Sequence, residues 1–434
     1  MDTSLDKRYN GLWVTGLLFF IALGIELLYL KSYSVRYLIS PDGLLYSNIA
    51  ENFLHGNGLV NTVGAGDILR PREYVVGPIY PLLLAFVYGM FGLKSYGIVI
   101  ILNAVLGAAS AVLAYKTGEL LFGKGYAWIP YGLTLGYPLF AFWGMYVLTE
   151  ATYVLTITLF LYLLALYAKD VKRPKVTTLL ILGVVIGISN LVRPFLLLFF
   201  PVLGFWILWI KQWHLKMAIR DFCLILMMTI LVMSPWWLRN EVKYHQFIAV
   251  SNYGSYEFYL GNNPLTITDS YFEFNQTSYD PVVKARIEKL PILDQEKEYK
   301  QLAVSYIVQH PVLFLQRTLE KETNLFWQPV TPAEGQAYKM KGDPVDKWYL
   351  LLGFFGVFLS LFFLRKYNFL LLFIGYYSFV VSMITVVSAA RYRLPVMPAM
   401  ILFGSLVVVT ALKGIGKLSR IKRRNRRGVG AHFN

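Results

Sequence analysis

Apolar positions along this chain fall in long blocks, and charged positions cluster between the blocks. Runs at 11–30, 95–115, 126–147, 150–168, 176–191, 194–210, 221–239, 348–364, 368–388 and 394–411 approach or exceed the roughly 18 to 20 apolar residues that cross a hydrocarbon core as a helix. About ten transmembrane helices are predicted. A further run, "GPIYPLLLAFVYGMFG" (77–92), is shorter and opens on two prolines, which predicts an interfacial or re-entrant helix on the outer face. The first run contains Glu26 and lacks a small-residue cleavage site after it, so it reads as a retained span and not a leader. Between the blocks, "SPDGLLYSNIAENFLHGNGL" (40–59) has a helical period. Leu45, Ile49 and Phe53 recur on one face, with Leu44 and Leu54 beside them. Ser40 is a plausible N-cap and Pro41 suits the first helical position. That helix is expected to lie along the membrane surface at the mouth of the first span.

Composition agrees with a polytopic membrane protein. Of 434 residues, 56% are apolar and only 15% charged, with a mean hydropathy of +0.51; a soluble domain carries more charge. The net charge of +16 raises the question of an acidic partner until it is placed on a topology. Basic clusters at Lys7-Arg8, Lys116 to Lys124, "KDVKRPK" (169–175), "KQWHLKMAIR" (211–220), Arg365-Lys366 and the tail from Lys413 all fall on the cytoplasmic side by the positive-inside rule. Both termini are then cytoplasmic, and the outer face and spans are close to neutral. Orientation in a cytoplasmic (inner) membrane accounts for the charge, and no nucleic acid partner is needed. The tail is expected to lie solvated against anionic lipid headgroups.

This topology divides the chain into four parts. Residues 1–239 form an N-terminal transmembrane module that includes the first outer loop, 31–94. Residues 240–346 form a large outer loop with helical patches, 347–412 the C-terminal spans, and 413–434 the basic cytoplasmic tail. The single cysteine, Cys223, excludes a disulfide framework and reads as a buried small apolar residue.

Several charged residues sit in apolar surroundings at the outer junctions. Asp42 occupies the first turn of the surface helix, where the helix end favours a negative charge. Glu150 lies between two apolar runs, where a lone carboxylate is costly and demands a partner or a water-filled cavity. Arg193 stands before Pro194 at the turn between two spans, and Arg391 and Arg393 lie at the start of the last one. Arg70, Arg72 and Glu73 add charge ahead of the run at 77–92. Acids and arginines at separate outer junctions point to one outward-facing polar cavity. Tyr46, Tyr80 and Tyr392 are further candidates to line it. A guanidinium fork matches phosphate oxygens, and a carboxylate can take the proton of an attacking hydroxyl. One base without a nucleophile dyad suits direct displacement with inversion, from a lipid-linked phosphate donor. A metal ligand set is not indicated.

These marks resemble a family. Asp42, Tyr46, Ala50, Gly56 and Gly58, then "GPIYP", "ILNAVLGAASAVLAYKTGELLFG", Thr149-Glu150, Arg193-Pro194, "PWWLRN" with "LGNNP", and "RYRLPVMP" are similar, in type and order, to the GT-C membrane glycosyltransferases. The group in question is glycosyltransferase family 39, which contains protein O-mannosyltransferases and ArnT-like enzymes. The resemblance implies an all-α GT-C fold with outer juxtamembrane helices, seven spans before a large outer loop, and a polyprenyl-phosphate sugar as donor. It implies Asp42 as the base that activates the acceptor, with arginines (Arg193, Arg391, Arg393 and Arg72 are the candidates) gripping the donor phosphate. The acceptor is a lipid, glycan or protein. Many relatives carry a second acid after the first; here Gly43 follows Asp42, and Glu73 and Glu150 are the candidates to replace it. A polymerase or ligase of lipid-linked glycans shares this donor chemistry. A flippase would need mid-membrane polar residues and paired half-helices, which the sequence lacks.

Overall fold

The computed structural model describes residues 3–32, 39–61, 75–267, 280–327, 343–385 and 390–429. Every regular element among them is helical. In the N-terminal half these are α1 (Thr3–Ser32), α2 (Pro41–Leu54), α3 (Ile79–Phe91), α4 (Tyr96–Phe122), α5 (Trp128–Leu135), α6 (Pro138–Gly144), α7 (Glu150–Lys169), α8 (Val176–Val192), α9 (Phe200–Ile210) and α10 (Leu215–Tyr244). The segment expected as the large outer loop gives α11 (Gly254–Gly261), α12 (Pro281–Ile287), α13 (Ile292–Gln309) and α14 (Pro311–Trp327). The C-terminal part gives α15 (Asp343–Ser360), α16 (Leu364–Ile384), α17 (Ala390–Arg393) and α18 (Met397–Val429).

Seven of the described helices contain a stretch long and apolar enough to cross a bilayer: α1, α4, α7, α10, α15, α16 and α18. They carry large apolar side chains outward, among them Trp13, Leu28, Leu231, Leu238, Phe355 and Phe358. The chain is a multi-pass membrane protein. The other three expected spans, 126–147, 176–191 and 194–210, are also helical and apolar, and differ in length or continuity. The run 126–147 is broken: α5 ends at Leu135, Tyr137 is extended (φ −85°, ψ 105°), and Pro138 opens α6. A proline disfavours helix at the residue before it, and the run breaks there. The run from 194 winds first as a 3₁₀ turn, Pro194–Phe199, before α9. Together with α8 it is apolar but shorter than the seven. The helix α18 continues into the basic tail and reaches Val429. Cys223 is exposed on α10 and not buried as expected.

The helix α3, 13 residues long, is about 20 Å from end to end. Its approach is pinned at Gly77, where an added Cβ would stand 2.2 Å from the Leu191 carbonyl at the end of α8. Near its other end, Tyr88 shares a hydroxyl contact with Ser47 of α2 at 3.0 Å, and Ser47 also meets Tyr96, the first residue of α4, at 3.3 Å. The ends of α3 therefore lie at the same end of the bundle, and the helix runs across that end without traversing it.

The outer loop is stitched to this same end. Trp236 and Trp237 of α10 donate to the Val250 and Ala249 carbonyls at 3.0 and 2.8 Å, and Asn240 donates to Ile248 at 3.1 Å. Asn262 donates to the Met383 carbonyl at 3.0 Å. The buried Lys321 of α14 donates to the carbonyls of Gly261 and Thr385 at 3.2 and 2.9 Å. The "PWWLRN" and "LGNNP" stretches thus fasten the loop to α10 and α16.

Candidate active site

The surface helix α2 starts as its sequence dictates. Ser40 is the N-cap, its hydroxyl accepts from the Gly43 amide at 3.1 Å, and Pro41 follows. Asp42 is held in that first turn. Gly43 has no room for a side chain, because a Cβ there would lie 2.7 Å from the Val147 carbonyl. The position next to Asp42 is closed by backbone, so a second acid does not fit without moving α2 off the loop ahead of α7.

Four charged side chains from distant parts of the chain meet beside this turn. Arg391 of α17 donates through Nη1 to Asp42 Oδ2 at 2.9 Å and through Nε to Glu150 Oε1. Arg193 donates through Nη2 to the same Glu150 oxygen at 2.6 Å and through Nε to Thr149 Oγ1 at 2.7 Å. The order of the cluster is Asp42, Arg391, Glu150, Arg193, and its formal charge is zero. The Glu150 side chain is only 2% exposed, against 20% for Asp42 and 17% for Arg391. Aromatic faces back both guanidinium groups: Trp143 is 5.9 Å from Arg391 and Tyr153 is 5.9 Å from Arg193. Burial works against the charge of Arg391, but the Glu150 and Asp42 carboxylates outweigh it and hold the guanidinium well above its ordinary pKa.

Asp42, Arg193 and Arg391 open onto a cavity of about 530 Å³, which Tyr46 and Tyr392 also line. Its apolar wall includes Leu45, Leu198, Phe195, Val380 and Met383, while Glu257 and Lys300 are on its loop side. Burial and the nearby Glu257 carboxylate push the Tyr392 hydroxyl above its usual pKa. Glu150 is not among the residues that border this cavity. It sits behind the arginines, and its Oε2 has no hydrogen-bond partner among the described residues.

The other sequence candidates divide. Tyr80 is fully buried behind Tyr46, with ring centroids 5.2 Å apart, and supports that ring from beneath. Arg393 is not at the cavity. It is 1% exposed, pairs with Asp346, and donates to the Leu325 and Phe326 carbonyls at 3.2 and 3.3 Å. Its partner Asp346 also accepts from Tyr137 at 2.7 Å. Arg393 ties α14 and α15 to the bundle, because side chains two apart on a helix face different ways. Arg70, Arg72 and Glu73 lie outside the described residues. Among these, no group of three or more His, Cys, Asp or Glu could hold a metal ion.

No protein-family model matches the chain, and no curated protein matches it. Among solved structures it is similar to ArnT from Cupriavidus metallidurans bound to undecaprenyl phosphate, at 13% identity and a TM-score of 0.44, covering 93% of this chain and 78% of that one. The same protein in the apo state gives 13% identity and a TM-score of 0.38, with 92% and 78% covered. At these values the likeness carries no assignment of activity.

Glu257 and Lys300 were not among the sequence candidates. They come from amphipathic outer-loop helices, where charged residues usually mark a solvated face, and nothing in their local sequence sets them apart. Glu150 remains a residue of the site, placed to position Arg193 and Arg391 instead of facing the cavity.

Proposed function

We propose that this chain is an inverting glycosyltransferase of the GT-C type, using a polyprenyl-phosphate-linked sugar and acting on the outer face of a cytoplasmic membrane. The observation that carries this reading is the convergence of Asp42, Arg193 and Arg391 on one cavity with an otherwise largely apolar wall. The apolar wall suits a polyprenyl chain, and the cations suit its phosphate. Arg391 uses Nη1 and Nε within the cluster, and Arg193 uses Nη2 and Nε. Each keeps one terminal nitrogen for donor phosphate oxygens.

In the proposed reaction the acceptor hydroxyl gives its proton to Asp42 as its oxygen attacks the anomeric carbon. The bond from that carbon to the phosphate oxygen breaks, and its electron pair leaves with the polyprenyl phosphate, whose growing charge Arg193 and Arg391 stabilise. A single carboxylate on the acceptor side gives inversion. The order of Asp42, Thr149-Glu150, Arg193-Pro194 and "RYRLPVMP" along the chain supports the same assignment.

Mass spectrometry of envelope lipids and glycans from cells with and without the gene should show a sugar missing in its absence. Asp42→Asn should give the same loss while the protein accumulates normally. Full product from Asp42→Asn would reject Asp42 as the base.

A further inference from the structure

We propose that the end of the bundle opposite the Asp42 cavity binds one anionic phospholipid in a pocket between α7, α9 and α16. The proposal does not depend on the activity above. α7 begins at Glu150 in the charged cluster and ends at Lys169, a helix of 20 residues that is about 30 Å long. The segment through α9 likewise starts just after Arg193 and ends at Ile210. A pocket of about 340 Å³ lies at these far ends, lined by Val171, Trp209, Gln212, Trp213 and Asn368 among others. The two pockets therefore face opposite sides of the membrane.

Three features make this a built site. Gln212 and Trp213 both have positive φ, 52° and 65°, an unfavourable conformation for two consecutive residues other than glycine. The turn is anchored beneath by Lys211, whose Nζ lies 2.7 Å from Asp221; Asp221 also takes Arg220 at 2.8 Å and the Tyr167 hydroxyl at 2.9 Å. Asn368 is buried, and its Oδ1 accepts from Trp206 at 2.9 Å, which leaves its amide nitrogen for the pocket. Trp209 and Trp213 are 39% and 61% exposed, as aromatic side chains at a headgroup boundary are.

Charge complementarity names the occupant. The segments that line the pocket also carry Lys169, Lys172, Arg173, Lys175 and Lys366, all exposed, while Asp221 is buried and already paired. Asp170 is the exposed acid beside them. Cations around the Asn368 amide and two tryptophans fit a phosphodiester headgroup with net negative charge, its acyl chains against the bundle.

The test uses the full chain in detergent, offered equal amounts of phosphatidylglycerol and phosphatidylcholine with the same acyl chains and read by native mass spectrometry. Preferential retention of one phosphatidylglycerol is expected. Trp213→Ala, and separately Lys172→Gln with Arg173→Gln, should each cut that preference on the order of tenfold. These side chains are exposed, so the fold should survive their replacement. Truncation after residue 416 and Arg391→Gln should leave the preference intact. Equal retention of both lipids, a preference unchanged in either pocket variant, or one lost with the tail overturns the proposal.

Discussion

Glu150 neutralises two guanidinium groups through one oxygen in a buried position, and its effect on the site is felt through Arg193 and Arg391. Replacing it with glutamine keeps the shape but leaves two arginines facing Asp42 alone. Breaking a buried ion pair by removing one partner costs about 3–5 kcal/mol. Glu150→Gln is therefore predicted to lower the melting temperature and to remove activity, whereas the more exposed Asp42→Asn should leave melting much closer to wild type. Equal melting of wild type and Glu150→Gln would refute the buried-anchor role. Lys321 gives a second residue-scale prediction. Burial lowers its pKa to about 7, and a neutral amine has two donors for the Gly261 and Thr385 carbonyls. From about pH 7 to about pH 10 the unfolded chain then binds more protons at this position than the folded one, so this contribution to stability rises with pH and is lost as pH falls toward 7. The melting temperature of wild type relative to Lys321→Met should rise across that window; a flat difference would show that Lys321 stays charged when folded. Asp42, Arg193 and Arg391 could be picked out in the sequence because a charge in an apolar run needs a partner. The separation of Arg391 from Arg393 could not be, because the Asp346 that claims Arg393 looks like an ordinary loop acid until its neighbours are known.

At the scale of elements, α8 and α10 touch through glycine. An added Cβ at Gly183 would stand 2.4 Å from the Ile225 carbonyl, and Thr229 donates across the same contact to the Gly183 carbonyl at 2.9 Å. Backbone cannot rotate aside as a side chain can, so Gly183→Leu should separate the two helices and destabilise the protein by roughly 1–3 kcal/mol or more. Gly97 in α4 has nothing within 4 Å of such a Cβ, so Gly97→Ala should be neutral or slightly stabilising. Equal melting temperatures for the two variants would disprove the close α8–α10 contact. Length and hydropathy made the long helices legible, and the capping signals placed the start of α2. They did not reveal the break between α5 and α6, since an apolar run reads the same whether or not Pro138 interrupts it. The loop-side cavity residues were equally hidden, because which face of an amphipathic outer helix turns inward is decided by its tertiary contacts.

At the scale of the whole molecule, the charged cluster and the basic segments occupy opposite ends of one helical bundle. Asp42, Glu150, Arg193 and Arg391 meet at one end, and the exposed Lys169, Lys172 and Lys216 lie at the other. The positive-inside rule predicts that the cavity faces outward, the side assigned to the proposed transfer. Orientation and path can be tested together. With Cys223 replaced by serine, a cysteine at Asn57, just beyond α2, and one at Lys172, just beyond α7, are both exposed on the folded protein. A membrane-impermeant maleimide added to intact cells should label Asn57→Cys and spare Lys172→Cys, and inverted vesicles should give the reverse. A cysteine at Gly92, just beyond α3, should follow Asn57→Cys, because both ends of α3 lie at the cavity end of the bundle. Labelling of the Gly92 variant from the side of Lys172 would mean that α3 spans the membrane. Every later helix would then change direction, and Asp42 and Arg391 could no longer share one cavity.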